Sequence, residues 1–197
     1  MSAWRGLIVL CAGLVFGASA AWSQETESWD RYLDRPRGPY RGQVVDAETK
    51  APLAGAVVVA LWRRDRISPV HSVSEHYAVR EVVTGADGRF VLDARDVEEG
   101  APRRTRRPAF LIFLPGYGKF PGSQVAPKGF TGGIFERAGT VVELPPFADL
   151  DQRRKHLRTI SPSSFSEQPF KDLPELMRRV NDERSAVGLN PYGPMEK

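Results

Sequence analysis

The chain has 197 residues, a formal net charge of +4 at pH 7 and one cysteine, Cys11. A lone thiol excludes an internal disulfide staple and a cysteine-cluster metal site, so the fold has to rest on an apolar core. The cationic surplus is small and uneven, and its arginine clusters at Arg63-Arg64-Asp65-Arg66, Arg103-Arg104-Thr105-Arg106-Arg107 and Arg153-Arg154-Lys155 are read as solvated surface, with anionic lipid head groups as an open alternative.

The chain begins with a short basic start at Arg5, an apolar run from Gly6 to Gly17 and Ala18-Ser19-Ala20, which has the small-x-small spacing of a signal-peptidase site. Residues 1–23 are therefore expected to be a secretory signal peptide, cleaved after Ala20 or at the second small-x-small site, Ala21-Trp22-Ser23. The run falls short of the roughly 18–20 residues that span a bilayer, so no transmembrane segment is expected after cleavage. Leu10 stands before Cys11, where lipid attachment wants a small residue. The expected location is periplasmic or extracellular, which also argues against nucleic acid as a partner.

Residues 24–40, with Trp29, Tyr32, Pro36 and Pro39, read as an extended N-terminal arm whose aromatic residues cap a sheet edge or bind sugar. A first strand follows at 41–45 and a polar turn at 46–50, with Pro52 at a strand start that tolerates a missing donor. Residues 56–62 are apolar on both faces, the mark of a central strand in a covered sheet. Residues 63–77 form a polar excursion with Pro69, His71 and His76. Alternation resumes at 78–84, and Gly85-Ala86-Asp87-Gly88 predicts a hairpin to 89–92, with Phe90 and Leu92 inward.

After a charged stretch at 93–108 come an unbroken apolar strand at 109–114, the turn Pro115-Gly116-Tyr117-Gly118 and a last strand at 140–144. The glycine-rich loop between them exceeds the ~12–15 residues usual for structureless loops and must be packed, mobile or functional. The tail changes to helical period. A short helix is predicted over 149–158, with Leu150 and Leu157 on its apolar side. Asp172-Leu173-Pro174-Glu175 is a capping box that opens a helix stopped by Gly188. Its stripe of Leu173, Leu176, Met177, Val180 and Val187 docks either on the sheets or on a partner.

Four blocks, Gly42-x-Val44-x-Asp46, Pro52-Leu53-x-Gly55-Ala56-x-Val58, Thr84-x-x-Asp87-Gly88-Arg89-Phe90 and Pro115-Gly116-Tyr117, occur in the order and spacing of a known family. Over residues 41–147 the chain resembles the carboxypeptidase regulatory-like domain family. The resemblance implies an all-β fold, a seven-stranded Greek-key β-sandwich of transthyretin-like topology, here followed by two short C-terminal α-helices in an extension at 148–197. It also implies an accessory role beside a catalytic or membrane unit, without fixing the partner. The glycines make local sense: Gly55 admits the chain to the central strand, Gly88 closes a turn where a Cβ would clash, and Asp87 bonds the amides of its own turn.

Chemistry finds little support. The catalytic half found in the carboxypeptidases has no counterpart here, and His71-Ser72-Val73-Ser74-Glu75-His76 matches no zinc-helix spacing. Gly122-Ser123-Gln124 is no nucleophile elbow, and Gly129-Phe130-Thr131-Gly132-Gly133 lacks the lysine of a P-loop. The related transthyretin-like ureide hydrolase carries a C-terminal tetrapeptide that Pro191-Tyr192-Gly193-Pro194-Met195-Glu196-Lys197 does not match. No catalytic residue, cofactor or metal is therefore expected. Tyr117, Phe120, Phe130 and Phe135, interleaved with Lys119, Lys128 and Arg137, are the candidate partner-binding residues, for glycan, peptide or lipid head groups; the competing reading packs them onto the sheet. The expected function is a non-catalytic exported binding or assembly module of the cell envelope with a protein partner, the alternative a carbohydrate-binding module, and a hydrolase more remote still.

Overall fold

Period-two alternation and β-branched runs produce strands, and the computed structural model, which describes residues 38–67, 72–102, 104–122, 135 and 139–193, gathers them into two small sheets. The strands are β1 (Tyr40–Asp46), β2 (Val57–Ile67), β3 (Ser72–Val83), β4 (Arg89–Leu92), β5 (Ala109–Phe113) and β6 (Val141–Leu144). Helix α1 (Arg95–Glu99) lies between β4 and β5. The tail carries α2 (Leu150–Leu157), a 3-10 turn at Pro162–Ser164, α3 (Pro169–Asp172) and α4 (Pro174–Ala186). One sheet has the order β4-β1-β6 and the other β3-β2-β5. β1 runs antiparallel to β4 and parallel to β6, and β2 runs antiparallel to both its neighbours. The signal peptide at 1–23 and nearly all of the expected arm at 24–40 lie outside the described residues; Tyr40 already belongs to β1.

β2 is the central strand that its apolar faces predict. Val58, Ala60 and Trp62 enter one cluster with Tyr40, Val44, Phe90, Val142 and Leu144 of the other sheet, while Val57 and Val59 enter a second with the C-terminal helices. The stripe on α4 therefore docks on the chain's own sheet. Leu173, Leu176, Val180 and Val187 are each at most 1% exposed. At about 1.5–3 kcal/mol per buried side chain, these four contribute about 6–12 kcal/mol, well above the ~1 kcal/mol of a helix cap, so packing holds α4 in place.

Several expectations need correction. The tail forms three helices rather than the expected two; six strands occur among the described residues. The turn at 85–88 exists, with Gly85 N–H donating to Arg89 O at 2.9 Å, yet β3 and β4 do not form a hairpin. β4 leaves to pair with β1, where Gly42 stands opposite Phe90, and β3 stays with β2. Residues 63–77, read as an excursion, mostly continue the strands: β2 reaches Ile67 and β3 starts at Ser72. Arg64 faces Glu75 across this extension, an opposite-charge pair that stabilises a ribbon polar on both faces. The capping box is replaced by a long-range cap. Glu81 of β3 accepts the N–H groups of Glu175 and Leu176 at 2.7 and 3.0 Å, while Asp172 instead takes the hydroxyl of Ser166.

Candidate functional site

Two of the four residues expected to meet a partner, Phe120 and Phe135, are core. Phe135 is fully buried, with its ring 4.5 Å from Phe110, 5.6 Å from Phe90 and 5.9 Å from Phe120. Phe120 is buried as well, and its backbone exchanges two hydrogen bonds with Ile112 at 2.9 and 3.0 Å. Neither ring can stack on a ligand in this arrangement. The apolar demand of a long loop has turned them inward. Phe130 lies outside the described residues, as do Lys128, Arg137 and His71.

Tyr117 is half-buried, and its hydroxyl donates to Oδ2 of Asp46 at 3.0 Å. Oδ1 of Asp46 accepts the N–H groups of Glu48 and Thr49, both at 2.8 Å. The Thr49 N–H chiefly holds the Asp46 carboxyl below its ordinary value, whereas burial first and Asp46 second push the Tyr117 phenol up. Two of the motif blocks thus meet in a clamp on the β1 turn, a structural use of both residues.

A second polar cluster, absent from the sequence reading, joins the tail to the Pro115-Gly116 turn. Buried Glu183 of α4 receives the Arg153 fork at 2.7 and 2.6 Å and the Gly116 N–H at 3.1 Å. Both of its oxygens are engaged, so it acts as a tie between α4, α2 and the turn. His156 follows one turn after Arg153, its ring centroid 5.0 Å from that of Phe147. Burial, then the charge of Lys119, push its pKa down to about 4, and its Nε2 has no hydrogen-bond partner among the described residues.

The open feature is a groove of about 640 Å³ along β3. Residues His76 to Arg80 form its floor; Asp96 and Val97 of α1 form one wall, and the segment from Phe165 to Asp172 the other. Among the described residues β3 is an edge strand, with no strand paired to its outer side. A bulge falls within this floor. Trp62 pairs with Ala78 and Arg63 with His76, which leaves Tyr77 as the extra residue and re-aims the strand there. Arg80 reaches across to Asp96 at 2.5 Å, and His76 Nε2 lies 3.0 Å from Nη2 of Arg63. The lining is mainly polar, unlike the apolar pockets that small ligands prefer. Three of the five floor residues, Ala78 to Arg80, fall in the strand expected at 78–84, but His76 and Tyr77 fall in the expected excursion and α1 in the charged stretch, so the sequence does not show the groove.

Among the described residues, no group of three or more His, Cys, Asp or Glu side chains is placed to hold a metal ion. No helix among them is long and apolar enough to cross a membrane.

No family model matches the chain, and no curated protein matches it. Among solved structures, a 9R-lipoxygenase from Cyanothece aligns with 16% identity and a TM-score of 0.23, over 47% of this chain and 14% of that one. A likeness of that size carries no argument about fold or activity.

Proposed function

We propose that the chain is a non-catalytic, exported binding or assembly module of the cell envelope, built on a Greek-key sandwich of transthyretin-like topology that resembles the carboxypeptidase regulatory-like domains. Its partner is an envelope protein that adds an extended segment to the edge of β3. The cluster shared by the two sheets supports the sandwich. The bridge between Phe120 and Ile112, on the outer side of β5, supports a place for the seventh strand.

One observation carries the functional reading: an edge strand forms the floor of an open groove walled by α1 and residues 165–172. Edge strands are usually covered, shortened or charged to prevent stray pairing. A long edge left in a polar groove suits main-chain hydrogen bonding to an added strand, with side chains reading alternate positions. The glycan alternative loses two of its stacking platforms, because Phe120 and Phe135 are core residues.

A photocrosslinking side chain at Arg80, in the groove, and another at Glu143, on β6 of the other sheet, test this reading in the cells that make the protein. The expected result is one envelope protein captured from position 80 and not from position 143. Equal capture from both, or none from position 80, would sink the proposal.

A further inference from the structure

Two arginine clusters about forty residues apart in the sequence meet at one end of the molecule. Beyond the bulge, β2 and β3 continue as a ribbon in which Arg64 stands opposite Glu75 and Arg66 opposite Val73. Residues 104–106 run along the other side of β2. Asp65 N–H donates to Arg104 O at 3.1 Å, Arg106 N–H donates to Arg63 O at 2.7 Å, and Arg64 and Thr105 form an antiparallel bridge. Among its described residues this end holds five arginines, Arg63, Arg64, Arg66, Arg104 and Arg106, against two acids, Asp65 and Glu75, which leaves three positive charges.

The acids cannot cancel this surplus. Glu75 is shared between Arg64 and Arg66, each at 3.1 Å, and Asp65 takes Arg106 at 2.7 Å. Pairing register sets the distribution. Arg64 and Arg66 share one face of the ribbon with Glu75 and Val73, and Arg63 lies on the opposite face with Asp65 and His76. Val73 is 43% exposed, an apolar side chain set among the guanidinium groups. Arg104 is exposed and has φ +72, in the left-handed region where glycine would be the unstrained choice.

We propose that this end of the ribbon docks on the surface of an anionic phospholipid bilayer, with its arginines among the head-group phosphates. Cations on both faces of a ribbon suit a layer that surrounds the end, whereas a peptide strand or a closed pocket would meet only one face. An exposed apolar residue among basic ones is the composition that favours the membrane interface. The inference does not rest on the β3 groove and holds or fails separately from it.

The test is co-sedimentation of the full chain with vesicles of phosphatidylcholine alone or mixed with phosphatidylglycerol, at low and high salt. Every variant keeps the apolar run at residues 6–17, so differences between variants report the ribbon end. Wild type is expected to bind the anionic vesicles in a salt-sensitive way. Each arginine removed should weaken binding on the order of fivefold, so Arg64→Gln with Arg66→Gln falls about twenty-five-fold. Arg104→Gly removes one charge while relieving its backbone, so weaker binding by a protein that melts no earlier separates docking from unfolding. Glu75→Gln should tighten binding by a similar factor. Variants that bind like wild type, binding that ignores lipid charge, or binding of soluble polyphosphate without binding of vesicles would each overturn the proposal.

Discussion

Replacing Glu81 by alanine should loosen the C-terminal helix from the sheet. Its two carboxylate oxygens, on β3, accept the N–H groups of Glu175 and Leu176 at 2.7 and 3.0 Å, where the first turn of α4 has no side-chain cap of its own. Loss of an N-cap costs about 0.5–2 kcal/mol, and a hydrogen bond to a charged group contributes about 1.5–3 kcal/mol. Desolvation opposes this gain. It raises the Glu81 carboxyl above its ordinary 4.5 despite both bonds, so the two effects partly cancel. The net cost of Glu81→Ala is then about 2 kcal/mol, which lowers Tm by roughly 4–8 °C in a protein of this size. Glu81→Gln keeps one acceptor and escapes the burial of a charge, so it should cost only about 1 kcal/mol. The pH dependence has a definite sign. A carboxyl with a raised folded-state pKa contributes stability that is fully present below its unfolded value and lost as pH rises through the folded one, a slope that Glu81→Gln should remove. Thermal denaturation followed by circular dichroism across this pH range measures all three effects. An alanine variant that melts with wild type, or a glutamine variant as damaged as the alanine one, would refute the reasoning.

Three other outcomes are expected. Gly88→Ala would place a Cβ 2.4 Å from Val44 O at φ +71, whereas one at Gly116, φ +82, would meet nothing within 4 Å. Urea unfolding should therefore give a loss of about 3 kcal/mol for the first and about 1 kcal/mol for the second. Phe135→Ala should cost about 3–5 kcal/mol by the same assay, as for a core ring and unlike a surface ligand contact. His156, held neutral with its pKa near 4 against an ordinary 6.5, contributes stability above pH 6.5 that is lost as pH falls toward 4. His156→Phe should flatten that limb of a stability-against-pH curve, by at most about 3 kcal/mol; a limb as steep as that of wild type would count against burial of the neutral ring.

Features set by local periodicity were legible in the sequence, and features set by distant partners were not. The two apolar faces of residues 56–62 marked the central strand, and the stripe on α4 marked a buried helix, because side-chain period alone reports burial. Turn chemistry at 85–88 was read correctly as a turn, but it cannot say which strand the outgoing residues join. The ribbon beyond Trp62 escaped notice because its support is cross-strand pairing of Arg64 and Arg66 with Glu75. A local signal also failed at Asp172, whose place as a cap is taken by Glu81, ninety-odd residues away in sequence. The aromatic residues of the long loop carried a choice between ligand surface and packing; Phe120 and Phe135 pack. The groove was invisible because its α1 wall and the His76-Tyr77 end of its floor come from segments read as irregular, and the strand expected at 78–84 does not say which elements stand beside it.

The central claim is that β3 accepts a strand from another envelope protein. Amide hydrogen exchange, compared with and without the protein captured from position 80, tests it most directly. The account predicts slower exchange over His76 to Arg80 and in α1, with β4, β6 and α4 unchanged. Protection confined to those other elements, with His76 to Arg80 exchanging as before, would contradict it.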